Sequence, residues 1–477
     1  MPSKTLFAAI AAIMFMTQGC SFIPEYRQPD LAVEATWSGR TDPADPLDAK
    51  AGGPSALASD IAWQDYFGSE TLKQLIQLTL DNNRDLRVAV LTIEKARAAY
   101  RIQRADSLPV VSAGTGVSRQ GVAEDNSSTG AAYTSDTTMT ANLGVTAYEL
   151  DFFGRVRSLN TAALETYLAT EEAALNTRIA LIGQTADAYM TLLADRKLLE
   201  LSQSTFQAQK ETYEVIKSQF EVGSATQLDL AQAATSVESA RVSIAQYTRL
   251  AAQAENAVTL LAGTSVYSLL NSGETIDDIR FMDGLPAGLP SQVLLARPDI
   301  RSAEHKLKAA NADIGAARAA LYPSISLTGS MGFASQSLTS LFDVSDSLAW
   351  SFAPSLTIPI FNRDGLNASL ETAEISEKIA VASYEGTVQT AFREVADQLA
   401  ARKTYQDQLK AQNALVDATQ ESYTLSRARY ENGIDDFLAV LDSQRALFSA
   451  QQGAITVRQS YLSNLVNLYK VLGGGQL

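Results

Sequence analysis

The sequence predicts an α+β membrane protein in which each chain gives four strands to a transmembrane β-barrel and forms long helices that pack as a coiled coil. Three observations predict this fold class. Four segments alternate apolar and small polar residues, two long tracts lack proline, and the two halves of the 477-residue chain repeat each other. Period-two alternation is typical of strands, and the proline-free tracts are filled with strong helix formers.

The overall composition is that of an ordered protein, with 46% apolar and 19% charged residues. The chain has a single His, His305, and a single Cys, Cys20. This excludes His and Cys zinc sites, disulfide frameworks, Ser-His-Asp triads and Cys-His nucleophiles within one chain. With 38 Lys and Arg against 53 Asp and Glu, the net charge is −15, which disfavours a nucleic-acid partner. We therefore expect no enzyme, no metal and no bound cofactor.

Residues 1–19 have the pattern of a signal peptide, with an apolar run over residues 5–16. That run is well short of the ~20 residues that a spanning helix needs. Cys20 follows directly, as in bacterial lipoprotein signals, and we expect its thiol to carry a covalent lipid. An ordinary secretory peptide ending near Cys20 is the alternative, because Thr17 stands where lipoprotein signals usually have Leu. Ser21, rather than Asp, after the Cys indicates sorting to the outer membrane.

Four segments, at about 109–119, 137–150, 323–333 and 349–361, read as strands. Each alternates apolar residues with Ser, Thr, Gly or Asn, as in Ser324-Ile325-Ser326-Leu327. Runs of about ten such residues suit a transmembrane β-barrel. A soluble sandwich would alternate in the same way, so the pattern alone leaves both open. Segments 119–136 and 334–348, rich in small polar residues, are the expected external loops.

Closure of the sheet constrains the assembly. Every backbone group in lipid must be paired, so an open sheet edge is forbidden there. Four strands cannot close a barrel, because the smallest barrels have about eight. Three copies would supply twelve strands and a set of helices for a tube, so the sequence predicts a homotrimer that embeds in outer-membrane lipid.

Very long helices are predicted because no proline lies between Pro109 and Pro286 and none follows Pro359. We expect helices over 155–222 and 225–262, and over 364–430 and 435–472. The first would be about 100 Å long. The helix after each turn has apolar residues at a spacing of seven, which is typical of coiled-coil packing; a buried soluble bundle would show the same stripe. These residues are Leu230, Val237, Ile244, Ala251 and Val258, then Leu441, Phe448, Ile455, Leu462 and Tyr469.

The two halves of the chain repeat each other. Asp85-Leu86-Arg87 recurs as Asp299-Ile300-Arg301, and the Gly223 turn recurs at Gly433. A duplication accounts for these matches. The predicted division is an N-terminal segment 20–65, a first repeat 66–263, a connection 264–297, a second repeat 298–473 and a tail 474–477.

Several ordered motifs carry a resemblance to a known family. The most specific is Arg297-Pro298-Asp299-Ile300-Arg301, followed by residues 314–320 and 323–327; residues 23–26, 82–87, 149–158 and 472–474 also match. Together they make the chain similar to the TolC-like outer-membrane efflux channels. It most closely resembles the OprM-type lipoprotein branch, the NodT-like outer membrane factors of tripartite efflux pumps.

The resemblance implies a complete architecture and function. It implies a twelve-stranded trimeric barrel in the outer membrane, continuous with a periplasmic helical barrel, and a small mixed equatorial domain made from the chain ends and segment 264–297. The implied function is passive exit of antibiotics and other small toxic compounds. Its implied partners are a periplasmic membrane-fusion adaptor and an inner-membrane RND-type transporter, and docking to them opens a closed periplasmic tip.

The resemblance also implies a gate after the second Gly turn. Leu438 and Asp442 match family positions that form an apolar ring and an acidic ring, and Ile434 is a further expected layer. Three Asp442 carboxylates around a narrow pore would repel one another and attract cations. Without the resemblance, Asp442 would read as an ordinary solvated charge on a helix surface.

A latch next to the gate is implied in the same way. Asp229 and Tyr430 match family partners that join the two helical hairpins in the resting state. Asp435 and Glu431 stand where family members carry Arg, so we expect the ionic half of that latch to be absent. Asp435 and Asp436 would instead enlarge an acidic tip.

Other polar residues are expected to be structural. His305 reads as a surface or structural residue, and Asp151, Arg155 and Arg157 as polar lining or helix capping. Two alternative functions stay open. One is a duct for protein or metal-ion export, with metal disfavoured by the lack of a Met or His cluster, and the other is a periplasmic coiled-coil scaffold or adaptor without a pore.

Overall fold

The computed structural model describes residues 21–30, 33–34, 57–123, 133–282, 284–285 and 290–476. The predicted signal peptide and Cys20 lie outside these residues. The chain divides into two compact units. The first, here called the sheet unit, draws on Met1–Pro29, Ile93–Thr170 and Ser302–Tyr384, and the second, the hairpin unit, draws on Asp30–Thr92, Glu171–Arg301 and Glu385–Leu477.

The described strands form one antiparallel sheet with the order β1-β2-β3-β4. Each strand pairs with its neighbour in the chain, so β1 and β4 are the two edges of the sheet. The strands are β1 (Val111–Ala123), β2 (Tyr133–Leu150), β3 (Ser324–Ser335) and β4 (Leu348–Thr357).

Three strand ends differ from the predicted ones by four residues. β1 and β2 continue into the expected loop 119–136 and pair out to Ala123 and Tyr133, because antiparallel ladder bonds are backbone bonds that polar residues also make. β4 ends at Thr357 rather than near 361. Pro359 follows it, and proline has no N–H to donate to a ladder. The expected loop 334–348 contains a helical turn, Val344–Ser347.

Eight helices of more than one turn are present in the described residues. The two longest have 67 and 69 residues. The segment 264–297, expected to be irregular, contains the helical turn Tyr267–Leu270 and a seven-residue helix. The helices are α1 (Glu70–Asn82), α2 (Arg84–Ala105), α3 (Arg155–Glu221), α4 (Gln227–Ala262), α5 (Pro290–Ala296), α6 (Pro298–Ala319), α7 (Arg363–Glu431) and α8 (Phe437–Val471).

None of the helices in the described part of the chain is both long enough and apolar enough to cross a membrane.

The core of the hairpin unit is built on stacked aromatic rings. Tyr66 and Tyr469 stack with their centroids 4.1 Å apart, and both are fully buried. Each hydroxyl is satisfied, since Tyr66 donates to the Leu465 carbonyl at 2.8 Å and Tyr469 donates to that of Ile61 at 2.6 Å. Burial raises the pKa of the Tyr66 phenol well above its ordinary value. These contacts tie the short N-terminal segment before α1 to the end of α8.

A buried arginine connects the start of α6 to α7 and α8. Arg297 forms ion pairs with Asp299 at 2.7 Å and with Glu394 at 2.8 Å, and donates to the Val471 carbonyl at 2.8 Å. A buried guanidinium needs such partners, because an unpaired buried charge is strongly destabilising. The motif Arg297-Pro298-Asp299 therefore has a structural role in this fold.

Candidate functional site

One face of the sheet is apolar across all its strands. The register pairs Ala113 with Leu143, Leu143 with Met331, and Met331 with Trp350. Directly paired residues lie on the same face of a sheet, so these four side chains form one continuous row. The next row is Val111, Val145, Gly329 and Phe352. Leu143, Met331 and Trp350 are 59%, 63% and 75% exposed in the single chain.

The opposite face is small and polar. Ser112, Gly144, Ser330 and Ser351 form one row, and the Ser330 and Ser351 hydroxyls are hydrogen-bonded at 2.8 Å. The Ser326 and Ser355 hydroxyls make the same contact at 2.7 Å. A sheet with one apolar and one polar face suits a boundary between a nonpolar environment and water.

A β-bulge in β2 preserves this separation. The register shifts between Val145 and Tyr148, where Ala147 has a φ of +51° and donates its N–H to the Thr328 hydroxyl at 3.2 Å. An uninterrupted strand would put Glu149 on the face of Leu143. With the bulge, Glu149 pairs with Ser326 on the polar face. The bulge thus keeps a carboxylate off the apolar surface.

Polar residues at the end of β2 start α3. The Asp151 carboxylate accepts from the backbone N–H groups of Val156 and Arg157 at 3.0 and 2.9 Å, which caps the helix. Arg155 donates to the Glu149 carboxylate at 2.9 Å. The sequence predicts capping or polar lining for this group, and the geometry is that of a cap with ion pairs.

The two helical turns have the same backbone hydrogen bonds. Gly223, between α3 and α4, and Gly433, between α7 and α8, have φ values of +81° and +69°, which favour glycine. The N–H of Ser224 donates to the Gln219 carbonyl at 2.8 Å, and the N–H of Ile434 donates to that of Arg429 at 2.9 Å. The equivalence is at an offset of 210, the spacing seen in the sequence repeat.

Helices α3 and α4 form the first helical hairpin, and α7 and α8 form the second. The Tyr430 hydroxyl joins these two hairpins through a partner that the sequence does not suggest. It donates to the Gln219 side-chain carbonyl at 2.9 Å, rather than to Asp229. Asp229 instead accepts from the N–H and hydroxyl of Thr226, at 2.8 and 2.7 Å, in the first turn of α4. Burial and the nearby Asp229 charge raise the pKa of Tyr430. Of the predicted latch pair, Tyr430 makes the link and Asp229 caps its own helix.

The acidic residues of the second turn have partners within their own hairpin. Arg429 donates to the Asp435 carboxylate at 2.9 Å, and this contact lowers the pKa of Asp435. Arg427 donates to Glu431 at 2.8 Å, four residues along α7. Asp436 caps α8 by accepting from the Ala439 N–H at 3.3 Å. The Asp435 carboxylate is thus paired with Arg429, and the acidic tip of Asp435 and Asp436 stays a prediction.

Ile434, Leu438 and Asp442 lie along one exposed stripe. Leu438 and Asp442 are four residues apart on α8 and therefore on one side of that helix, and Ile434 is exposed in the turn before it. The Asp442 side chain is 66% exposed and lies 3.8 Å from Arg445. The other side of α8 is buried, because Phe437, Val440 and Leu441 pack with Ile216 and Ala233 of the first hairpin. The exposed residues therefore lie opposite the buried side of α8.

His305 is in hydrogen-bonding contact with a carboxylate. Its Nδ1 lies 2.6 Å from the Glu165 carboxylate. In the described residues, no group of three or more His, Cys, Asp and Glu side chains is arranged to hold a metal ion.

These features define an outer membrane efflux protein. The sequence model of the family described as "Outer membrane efflux protein" matches residues 75–264 and 289–474, and the chain belongs to this family.

Close relatives cover almost the whole chain. It is 48% identical over 474 residues to the probable efflux pump outer membrane protein TtgC of Pseudomonas putida, covering 99% of this chain and 96% of that protein. It is 40% identical over 473 residues to outer membrane protein OprJ of Pseudomonas aeruginosa, with the same coverage. Among solved structures, the open state of the Neisseria gonorrhoeae MtrE outer membrane channel aligns with a TM-score of 0.86 at 37% identity, covering 96% of this chain and 99% of that one.

Proposed function

We propose that this chain is the outer-membrane channel of a tripartite efflux pump, acting as a passive homotrimeric exit duct. The observation that carries the proposal is the four-stranded sheet of the described residues, with one apolar face and two unpaired edges. Water opposes the exposed apolar face, and lipid opposes the unpaired edges. At ~25 cal/mol per Å², exposing this apolar face would be costly, and lipid removes that cost.

The edges require other copies of the chain. In a bilayer every strand N–H and C=O group must be paired, so β1 and β4 each need a neighbour. We propose that β1 of one copy pairs with β4 of the next. Three copies then close a twelve-stranded barrel whose small polar residues face the lumen, and the helices of the two internal repeats continue it as a periplasmic helical barrel with a mixed equatorial domain.

The exposed stripe of the second turn supports a gate. In a threefold assembly, Ile434, Leu438 and Asp442 would form successive rings at the periplasmic tip. Three facing carboxylates favour cations and oppose tight closure. Tyr430 bonded to Gln219 would hold the tip closed until an adaptor docks, because opening must separate the two hairpins.

The relatives support the cargo and partners. Two of them, at 48% identity, are named as an antibiotic efflux pump outer membrane protein and a toluene efflux pump outer membrane protein of Pseudomonas putida. We propose antibiotics and other small toxic compounds as cargo, with a periplasmic adaptor and an inner-membrane RND-type transporter as partners.

A lipid on Cys20 anchors the chain to the outer membrane. No catalytic group or cofactor is needed, because the transporter supplies the energy.

The test is deletion of the gene followed by complementation. The deletion strain should become more sensitive to antibiotics, dyes or solvents, and the wild-type gene should restore resistance. The purified protein should form discrete channels in planar bilayers. A scaffold without a pore would give no conductance. A metal-export or protein-export duct would conduct but would leave drug sensitivity unchanged.

A further inference from the structure

A cavity of about 810 Å³ lies within the hairpin unit. Its walls come from α3, α7, α8 and the segment 277–285. Small-molecule sites have volumes of roughly 300–1,000 Å³, so this cavity is large enough for such a ligand. Its lining on α7 extends from Arg402 to Asp417, which is about 22 Å at the helical rise per residue. The cavity is therefore elongated along that helix.

Three arginines from different elements line the cavity: Arg280 of the segment 277–285, Arg402 of α7 and Arg458 of α8. Arg458 donates to the Ile279 carbonyl at 3.1 Å, and Arg280 donates to the same carbonyl at 2.8 Å. The Nη1 atom of Arg402 is buried and has no hydrogen-bond partner among the described residues. Two of the guanidinium groups thus bind a neutral acceptor, and the third has an N–H group without an acceptor.

The arginines also place like charges close together. Arg280 and Arg458 share one carbonyl acceptor, so their guanidinium groups are neighbours. Burial and then the charge of Arg280 lower the pKa of Arg458, and the charge of Asp277 opposes this shift. Positive charges that are partly buried without an ion pair are unfavourable. A negatively charged ligand would relieve this repulsion.

The carboxylates that line the same cavity do not neutralise these arginines. Glu200 is paired with Lys197 at 3.1 Å. Asp277 accepts from Arg280 through its backbone carbonyl rather than through its carboxylate. Asp417 is at the far end of the cavity, about 22 Å along α7 from the arginine of that helix. The charge of the arginine cluster therefore favours an anion.

Much of the remaining wall is apolar. Ile279, Leu285 and Leu462 are almost completely buried. Other apolar residues of the wall are Leu201, Leu409, Ile455 and Leu465. An apolar wall with a few convergent polar groups is typical of sites for small organic molecules. The ligand that fits this lining has both an acidic group and an apolar body.

We propose that the cavity binds a small organic anion, with its acidic group between Arg280, Arg402 and Arg458 and its apolar body against the leucines. Guanidinium groups bind the oxygens of carboxylates, sulfonates and phosphates through charge-assisted hydrogen bonds. The bound anion would connect α7, α8 and the segment 277–285 through one acidic group. This site goes beyond the proposed exit duct, because it is formed by side chains of one hairpin unit and needs no pore.

Calorimetric titration of the purified protein in nonionic detergent tests this inference. The probe is naphthalenesulfonate, which has an acidic group and an apolar body. Naphthalenemethanol has the same body without the charge, and sulfate has the charge without the body. We expect the protein to bind the sulfonate and to bind the other two about tenfold more weakly. No binding of the sulfonate, or equal binding of the alcohol, overturns the site, and equal binding of sulfate overturns the proposed ligand class.

Substitution of the arginines tests where the probe binds. Arg402→Gln and Arg458→Gln should each weaken binding of the sulfonate about tenfold, because each removes a charged donor. Arg402→Lys keeps the charge and should restore part of the affinity. Arg241→Gln is the matched control, because Arg241 lies outside the cavity in an exposed pair with Glu238. Equal losses in Arg241→Gln and Arg402→Gln would overturn this placement.

Filling the cavity provides a test that leaves every charge in place. Ala454 lines the cavity on α8 and is only half-buried, so Ala454→Phe should fold, as its melting curve would show. The added ring occupies space that the apolar body needs, and binding of the sulfonate should weaken several-fold. Arg458 is half-buried too, so both variants keep the test valid if Arg402→Gln does not fold. Wild-type affinity in folded Ala454→Phe and Arg458→Gln contradicts the proposed site.

Discussion

The sheet and the second helical turn both expose apolar side chains, but only those at the turn have charged residues as neighbours. On the sheet, Leu143, Met331 and Trp350 form an unbroken row with no ionisable neighbour in that row. At the turn, Leu438 lies one helical turn from Asp442 and three residues after Asp435, which is ion-paired with Arg429. The row requires a nonpolar medium, whereas the turn tolerates water. This difference agrees with the proposal that the sheet is embedded in lipid and that the turn forms a gate in water.

The largest effect is expected when a charge is placed on one or the other face of the sheet. Met331→Arg puts a guanidinium on the apolar face, where a charge near the bilayer midplane costs about 2–4 kcal/mol per chain. We expect at least a tenfold loss of heat-modifiable oligomer from the outer-membrane fraction. Ser330→Arg, the adjacent residue on the polar face, is the control and should assemble. Equal losses in both variants would show that the faces are not distinct.

The exposed turn should respond through conductance rather than assembly. Asp442→Ala removes the proposed acidic ring, and we expect a several-fold higher single-channel conductance and weaker cation preference with normal oligomer yield. Glu238→Ala is matched, because Glu238 and Arg241 form an exposed pair at the same spacing of three residues as Asp442 and Arg445. A similar conductance change in both variants would argue against a gate at Asp442.

A smaller effect is expected from the hydrogen bond between Tyr430 and Gln219, which joins the two helical hairpins. Tyr430→Phe and Gln219→Leu each remove the hydrogen bond that joins them, which is worth about 0.5–1.5 kcal/mol. Each should raise the open fraction of the channel, and the double variant should add little more. Asp229→Ala loses only a helix cap and should lower the melting temperature instead. If Asp229→Ala opened the channel and Gln219→Leu did not, the latch would lie at Asp229.

The smallest effect concerns pH at the second turn. Because Arg429 lowers the pKa of Asp435 below its ordinary value of 3.8, their pair stabilises the folded protein above that value. The stabilisation disappears as pH falls through the lowered pKa. Wild type should therefore melt slightly above Asp435→Asn at pH 6, and the gap should shrink as the pH is lowered past the reduced pKa of Asp435. The gap is small because the pair is exposed. A gap that widens in acid would contradict this pairing.

The sequence is informative where a local pattern decides the structure. Proline-free tracts and a seven-residue apolar spacing predict helices over 155–222 and 364–430, and the structure has them at Arg155–Glu221 and Arg363–Glu431. Alternation likewise predicts the strands. The bulge at Ala147 has no glycine to signal it, although the charge of Glu149 on an otherwise apolar face is a usable clue.

Contacts between distant segments were not predictable. Tyr430 binds Gln219, which belongs to no motif, because the packing of two hairpins brings together residues 211 positions apart. The Gln28 amide likewise donates to the Tyr384 hydroxyl, 356 positions away. The Arg427–Glu431 pair, in contrast, follows the four-residue spacing of a helix and could have been predicted. Long-range pairing depends on the whole fold, which no local pattern encodes.

The most direct test of the central claim is the native mass of the purified protein released from detergent. The account predicts a complex with three times the mass of one mature chain, because one sheet leaves β1 and β4 unpaired in lipid. A monodisperse single chain that stays dissolved without detergent would contradict it, since its apolar face would then be stable in water.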